Sequence, residues 1–127
     1  MKNVNEQYVY QKLCQLHVEV SACTIQWSKQ DKQELGKLLR ESTNLAAEVF
    51  YRNWGGRNFQ RFKKGLQSSL FQIRRILHFL YIASLKNYLA TEQYTALLEK
   101  YKECKLLLKN METDIEEIMK NKILLIN

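Results

Sequence analysis

The sequence predicts an all-α fold, an antiparallel up-down four-helix bundle in a single domain that spans residues 1–127. Two observations lead to this prediction. The chain contains no proline and only four glycines, so little in it interrupts helix formation. Its apolar residues also recur at spacings of three and four in four segments that short connections join. A chain of this length can bury one core but is too short for two.

The first two helices are predicted from apolar periodicity and from the break between them. The first is expected over about residues 6–28, because apolar side chains follow one another there at helical spacing. Asp31, followed three residues later by Glu34, is typical of a capping box, so the second helix is expected from about Lys32 to the Gly55–Gly56 turn. The predicted seam of the first helix comprises Val9, Leu13, Leu16, Val20, Cys23 and Trp27. The predicted inner face of the second comprises Leu35, Leu38, Ser42, Ala46, Val49 and Phe50.

The third helix is expected over about residues 57–87 and the fourth over about 92–121, with Thr91 as its N-cap. The core stripe of the third comprises Phe59, Phe62, Leu66, Leu70, Ile73, Leu77 and Leu80. The seam of the fourth comprises Tyr94, Leu97, Tyr101, Cys104, Leu108, Met111, Ile115 and Ile118. The apolar tail at 123–126 either extends the fourth helix or docks on a neighbour.

All of the excess charge of the chain lies in one segment. The 43 residues from Val49 to Thr91 contain eight Lys and Arg but no Asp or Glu, whereas the other 84 contain 12 basic and 13 acidic residues. Helix faces usually intersperse the two signs, because opposite charges one turn apart attract and like charges repel. An anionic partner is therefore expected, and the predicted nucleic-acid-binding residues are Arg52, Arg57, Arg61, Lys63, Lys64, Arg74 and Arg75. An acidic protein surface that docks on this stripe is the alternative.

The second half of the third helix is apolar nearly all round. Phe71, Ile76, Phe79 and Ile82 lie off its predicted core stripe, and a helix that is apolar on every side is buried on every side. In a four-helix domain only another subunit can bury the outer face. These four residues are therefore the predicted oligomer interface.

The sequence offers little for catalysis. It has no glycine-rich phosphate loop, no Glu-x-x-His pair and no zinc-type spacing of Cys and His, so we expect a non-enzymatic protein without cofactor or metal. Glu48 is interpreted as a buried carboxylate paired with an arginine. The three cysteines are expected to be reduced, as in a cytoplasmic protein. The N-terminus has no signal-peptide pattern, and a membrane partner is not expected, because the basic face has no adjoining apolar half.

Several short motifs between Leu35 and Ile115 resemble a known family. They are Leu35-Gly36-Lys37-Leu38-Leu39-Arg40-Glu41, Ala46-Ala47-Glu48, Asn58-Phe59-Gln60-Arg61-Phe62, Ser68-Ser69-Leu70 and Tyr88-Leu89-Ala90-Thr91-Glu92-Gln93-Tyr94. Together they resemble the small bacterial four-helix bundles that are encoded by intervening sequences of ribosomal RNA genes or that serve as the accessory variability determinant of diversity-generating retroelements. The resemblance implies a ring-like homopentamer with a basic surface. In the retroelement branch it also implies binding of RNA or DNA and of a reverse transcriptase. The chain departs from the family pattern in the position of its glycines and in lacking a Trp near the end of the fourth helix.

Overall fold

The computed structural model describes residues 4–54 and 58–126, with side chains described for residues 6–54 and 58–122. In these ranges the chain forms four helices, α1 (Val4–Ile25), α2 (Gln30–Asn53), α3 (Phe59–Leu85) and α4 (Thr91–Ile126). Each helix packs on the next one in the chain, and α1 packs on α4, so the four enclose one core. The predicted all-α four-helix bundle is confirmed.

Neighbouring helices run in opposite directions. Lys63 on α3 forms an ion pair with Glu116 on α4, and one turn later Gln67 donates a hydrogen bond to Glu112. Four residues forward on α3 are thus matched by four residues back on α4. The same reversal relates α1 to α2 and α2 to α3. Short connections between successive helices permit this up-down order.

The core follows the predicted seams of α1 and α4 closely. Their fully buried residues include Val9, Leu13, Leu16, Val20, Leu97, Tyr101, Cys104, Leu108 and Ile115. Trp27 also packs into the core, although α1 ends two residues earlier. Burial of large apolar side chains along two whole helices supplies the main driving force for folding.

On α2 two sequence-based predictions are wrong. The helix begins at Gln30 after Lys29, and the Asp31 carboxylate accepts a hydrogen bond from the Tyr88 hydroxyl instead of capping the helix. Leu38 is 38% exposed, whereas its neighbour Leu39 is fully buried. The reason is that α2 must bury two sides at once. The side toward α1 is lined by small and polar residues, which a count of apolar residues does not register.

That side of α2 contains Gly36 and Thr43, both of which are buried. The Thr43 hydroxyl lies 2.8 Å from Nδ1 of His17 on α1. A Cβ atom on Gly36 would lie 3.0 Å from Cβ of Thr24 on α1. Small residues here therefore let α1 and α2 approach closely, and the buried arc of α2 is wider than its apolar stripe.

The ends of α3 and α4 are set by local hydrogen bonds. Asn87, with φ of 63°, takes the left-handed conformation after α3, and the Tyr88 N–H donates to the Ala83 carbonyl, as in a Schellman motif. At the start of α4 the Gln93 side chain accepts from the Ala90 N–H, so Ala90 occupies the cap position predicted for Thr91. The helix continues to Ile126, so the tail extends α4. Over the residues described, no helix combines the length and apolarity needed to span a membrane.

Candidate nucleic-acid interface

The surface of α3 that points away from the core carries three of the seven predicted ligand-binding residues, Lys64, Arg74 and Arg75. We call it the outer face of α3 and define it as Gln60, Lys64, Gln67, Phe71, Arg74, Arg75 and His78. Six of these side chains are exposed and Arg75 is half-buried. They follow one another at spacings of one to four residues, so they form a continuous strip along about five turns of the helix. The core stripe of the same helix holds this strip in place from behind.

Lys64 and Arg74 are the least constrained cations of the outer face. Both are exposed, and within the described part of the chain no carboxylate oxygen lies within 4 Å of either side chain. Arg75 likewise lacks a carboxylate partner there. Its guanidinium lies 5.5 Å from the centre of the Phe79 ring, and Nη1 donates to Gln72 Oε1 at 3.3 Å. The sequence of α3 contains no Asp or Glu to offset these three charges, so an anionic ligand would meet no carboxylate of this helix.

Two other predicted residues, Arg52 and Arg61, lie where α2 ends and α3 begins. Arg61 Nε donates to Asn53 Oδ1 at 3.1 Å, and Nη2 donates to the Arg52 carbonyl at 3.2 Å. The Arg61 cation therefore sits at the C-terminus of α2, where the helix dipole favours positive charge. Part of its hydrogen-bonding capacity is used to hold the two helices together. Arg57 and the Gly55–Gly56 turn lie outside the described residues.

Lys63 is less available for a ligand than the sequence suggested. Its side chain is half-buried, and Nζ lies 3.2 Å from Oε1 of Glu116 on α4. An ion pair of this kind is weak at a protein surface, but it places a negative charge beside the lysine. Of the predicted binding residues, Lys64, Arg74 and Arg75 are brought together on one face, whereas Lys63 points toward α4.

A cleft between α3 and α4 adds two cations that the sequence analysis did not select. It has a volume of about 450 Å³. Its lining comprises Gln67, Leu70, Arg74, Lys105, Lys109 and Glu112. Lys105 and Lys109 are one turn apart on α4, and Glu112 follows Lys109 after about one more turn. That spacing places both lysines on one face of α4, and the cleft shows that this face is toward α3. The sequence analysis did not select them because α4 carries charges of both signs.

The Glu112 carboxylate in this cleft accepts a hydrogen bond from Gln67 Nε2 at 2.8 Å. It does not approach the cations of the cleft closely enough to form an ion pair, since the described ranges contain only the Lys63–Glu116 and Lys100–Glu19 pairs. Three positive charges thus face one negative charge. The cleft is a second surface suited to a phosphate.

A shallow apolar pocket of about 380 Å³ lies beside the cleft, on the outer face of α3. It is lined by Phe71, Arg74, Arg75, His78 and Phe79. Phe71 is 53% exposed, and Arg74 lines both the pocket and the cleft. The predicted basic surface and the predicted oligomer interface therefore interleave on the same face of α3.

For Ile76 the predicted position is wrong, because this side chain is 0% exposed within its own chain. The buried arc of α3 extends toward α2 through small residues. Gly65 packs against Asn53, and Ser69 Oγ donates to the Ala46 carbonyl at 2.8 Å. Ile76 continues that side of the helix into the core. Phe71, Phe79 and Ile82 remain at least partly exposed.

The reactive or titratable side chains of Cys104 and His17 lie away from the outer face of α3, and burial accounts for their shifted pKa values. Burial raises the pKa of the Cys104 thiol to about 12 and lowers the pKa of His17 below its usual value. Glu48 is exposed, so its interpretation as a buried carboxylate is wrong. In residues 4–54 and 58–126, no three His, Cys, Asp or Glu side chains converge in a way that could hold a metal ion.

The fold and this face define a basic four-helix bundle. Comparison of the sequence and structure with protein-family models, with curated proteins and with solved structures gives no match.

Proposed function

We propose that this chain is a non-enzymatic, homo-oligomeric bundle that binds the phosphate backbone of nucleic acid through the outer face of α3. The observation that carries the proposal is the group of cations without a carboxylate partner in the described chain. It comprises Lys64, Arg74 and Arg75 on α3, joined by Lys105 and Lys109 on α4. Each phosphate that these side chains neutralise releases condensed counterions, which favours binding at low salt. Arginine adds bidentate contacts to phosphate oxygens.

The resemblance to the bundles encoded by ribosomal-RNA intervening sequences and retroelements supports the same ligand class. For the retroelement branch it extends the proposal to a role as accessory protein of a reverse transcriptase that uses RNA or DNA. A basic surface that follows one helix without acidic side chains of its own is compatible with binding many sequences, because phosphate contacts carry no sequence information.

The homo-oligomer is proposed to form through the apolar end of α3, which we define as Ile82 and Leu85, beyond the Phe79 ring that lies against Arg75. Between Ile76 and Leu85 the sequence contains no Lys, Arg, Asp or Glu, and Leu85 is 64% exposed. A second copy meets no like charges there, whereas contact over the outer face of α3 brings several cations together. The charged and uncharged parts of α3 thereby serve different partners.

A salt series with labelled single-stranded RNA tests the nucleic-acid proposal. For single strands the logarithm of the binding constant falls with the logarithm of salt by about 0.7 per phosphate neutralised, so engagement of all five cations gives a slope of about −3.5. The double variant Lys64→Glu with Arg74→Glu is expected to abolish most binding and to flatten the slope. It leaves the contacts of Arg61 at the end of α2 intact.

The matched control is the double variant Lys37→Glu with Lys102→Glu. Both lysines are exposed on other helices, and the change in net charge is the same. If this control loses as much affinity as the first variant, binding follows net charge and not the outer face of α3. If folded wild-type protein does not bind at low salt, the proposal is refuted, and docking of an acidic protein becomes the function to pursue.

A further inference from the structure

The shallow pocket on the outer face of α3 combines aromatic rings with cations. Phe71 presents 53% of its surface to solvent, and the Phe79 ring lines the same pocket. Arg74, Arg75 and His78 complete the lining. The pocket therefore offers an exposed aromatic surface beside two guanidinium groups.

The pocket is partly preorganised. The Arg75 guanidinium lies against the Phe79 ring at 5.5 Å from its centre, and the His78 ring lies 5.6 Å from the same centre. Phe79 is half-buried, so the core side of α3 holds it in place. Phe71 lies two turns earlier with one side open. When a flat ligand binds between these groups, the side chains of the pocket lose little additional conformational freedom.

The occupant must be both flat and anionic. Of the described residues that line the pocket none is acidic, so a second copy of the same face would place arginine against arginine. An aliphatic protein segment would use the rings but leave the cations unpaired. A nucleobase offers a π-face to Phe71, and its own backbone carries the phosphates that the cations require. In a duplex the faces of the bases are stacked on one another and are not available.

Arg74 connects the pocket to the cleft between α3 and α4, because it lines both. On the other side of Arg74 the cleft contains Lys105 and Lys109. A single strand that stacks one base in the pocket therefore has cations beside the adjoining phosphate. The two cavities together provide a base site and a phosphate site at neighbouring positions.

We infer that this bundle binds single-stranded nucleic acid, with an unpaired base stacked on Phe71 and the adjoining phosphate between Arg74 and the two lysines of α4. The inference rests on the proposed function and specifies its ligand. Stacking accepts every base, so it adds affinity for single strands without selecting a sequence. Phe71, predicted from sequence to lie in an oligomer interface, is thereby assigned to the ligand.

The test is a two-by-two comparison of protein and ligand. Wild type and Phe71→Leu are each titrated with labelled oligothymidylate and with an abasic oligonucleotide of the same length, which keeps the phosphates and lacks the bases. Loss of one base–aromatic stack lowers affinity by about 5- to 150-fold. We expect Phe71→Leu to weaken binding of oligothymidylate by such a factor and to leave both abasic binding and the salt slope unchanged. Phe71→Tyr, which keeps the ring, should bind as wild type does.

The outcomes separate this inference from the proposed function. Equal binding of oligothymidylate by wild type and Phe71→Leu, with a steep salt slope, overturns stacking and leaves phosphate binding in place. An equal loss for both ligands also overturns stacking, because the ring would then act on the phosphates or on the fold. No binding of either ligand by folded wild type overturns both. Circular dichroism confirms that each variant is folded, which is expected because residue 71 is exposed.

Discussion

Replacement of Gly65 by alanine tests how closely α2 and α3 approach beneath the basic face. A Cβ atom at Gly65 would lie 2.4 Å from Cβ of Asn53, well inside van der Waals contact, and Asn53 Cβ cannot rotate away because it is fixed to the backbone of α2. To accommodate the methyl group, α2 and α3 must separate or the last turn of α2 must unwind. Either change strains the hydrogen bond between Ser69 and the Ala46 carbonyl or the contact of Arg61 with Asn53.

The expected loss of stability follows from two opposing effects. Overpacking costs about 1–3 kcal/mol, and the severity of this contact places it near the upper end. Alanine is favoured over glycine within a helix by about 1 kcal/mol. The free energy of unfolding should therefore fall by about 2 kcal/mol, which lowers the melting temperature of a chain of this size by roughly 8 °C.

The measurement is urea unfolding of wild type and variant, followed by circular dichroism, with Gly36→Ala as the matched control. At Gly36 the new Cβ atom would lie 3.0 Å from Cβ of Thr24 and 3.1 Å from the Arg40 guanidinium, which is the far end of a long side chain and can shift, so overpacking and helix propensity should nearly cancel. If Gly65→Ala is as stable as Gly36→Ala, or more stable than wild type, α2 and α3 are not as close as described and the reasoning fails.

Four further predictions concern other parts of the molecule. Tyr101→Phe should raise the free energy of unfolding by about 1 kcal/mol in urea titrations, because the buried Tyr101 hydroxyl has no hydrogen-bond partner among the described residues; a clear loss would contradict this. Burial lowers the pKa of His17 below its usual 6.5, so the unfolded chain binds the proton first: stability should be constant above about pH 7, fall toward about pH 5, and fall less in His17→Gln. Cys104, with a pKa raised to about 12, should react with iodoacetamide at about pH 8 only after unfolding, as peptide mass spectrometry would show; modification in the native protein would contradict its burial. Leu85→Glu should dissociate the proposed oligomer in sedimentation experiments, whereas Leu106→Glu, at an equally exposed leucine on α4, should not.

How far the fold is readable from the sequence depends on the helix. On α1 and α4 one apolar stripe accounts for the core, because large side chains at spacings of three and four leave no ambiguity about the inner face. On α2 and α3 the buried arc is widened by Gly36, Thr43, Gly65 and Ser69, which a hydrophobic pattern treats as polar or neutral. That widening explains why Leu38 and Ile76 were misplaced.

Local capping was less predictable than periodicity. Asp31 has the spacing of a capping residue, but its carboxylate accepts a hydrogen bond from the hydroxyl of Tyr88, which lies in the connection between α3 and α4. Such a contact joins residues distant in the sequence, so no local pattern indicates it. At the start of α4, the Gln93 side chain accepts a hydrogen bond from the Ala90 N–H. Alanine is not a typical capping residue, so the sequence did not indicate that the cap lies at this position.

The sequence by itself determined that this protein is a helical bundle and that its positive charge is concentrated between Val49 and Thr91, because periodicity and charge are properties of the chain in one dimension. Only the tertiary structure decided which cations act together. Antiparallel packing places α4 beside α3, so Lys105 and Lys109 join Arg74 across a cleft while Glu116 pairs with Lys63. These distances depend on the register between two helices, and residues so far apart in the chain carry no local signal of it.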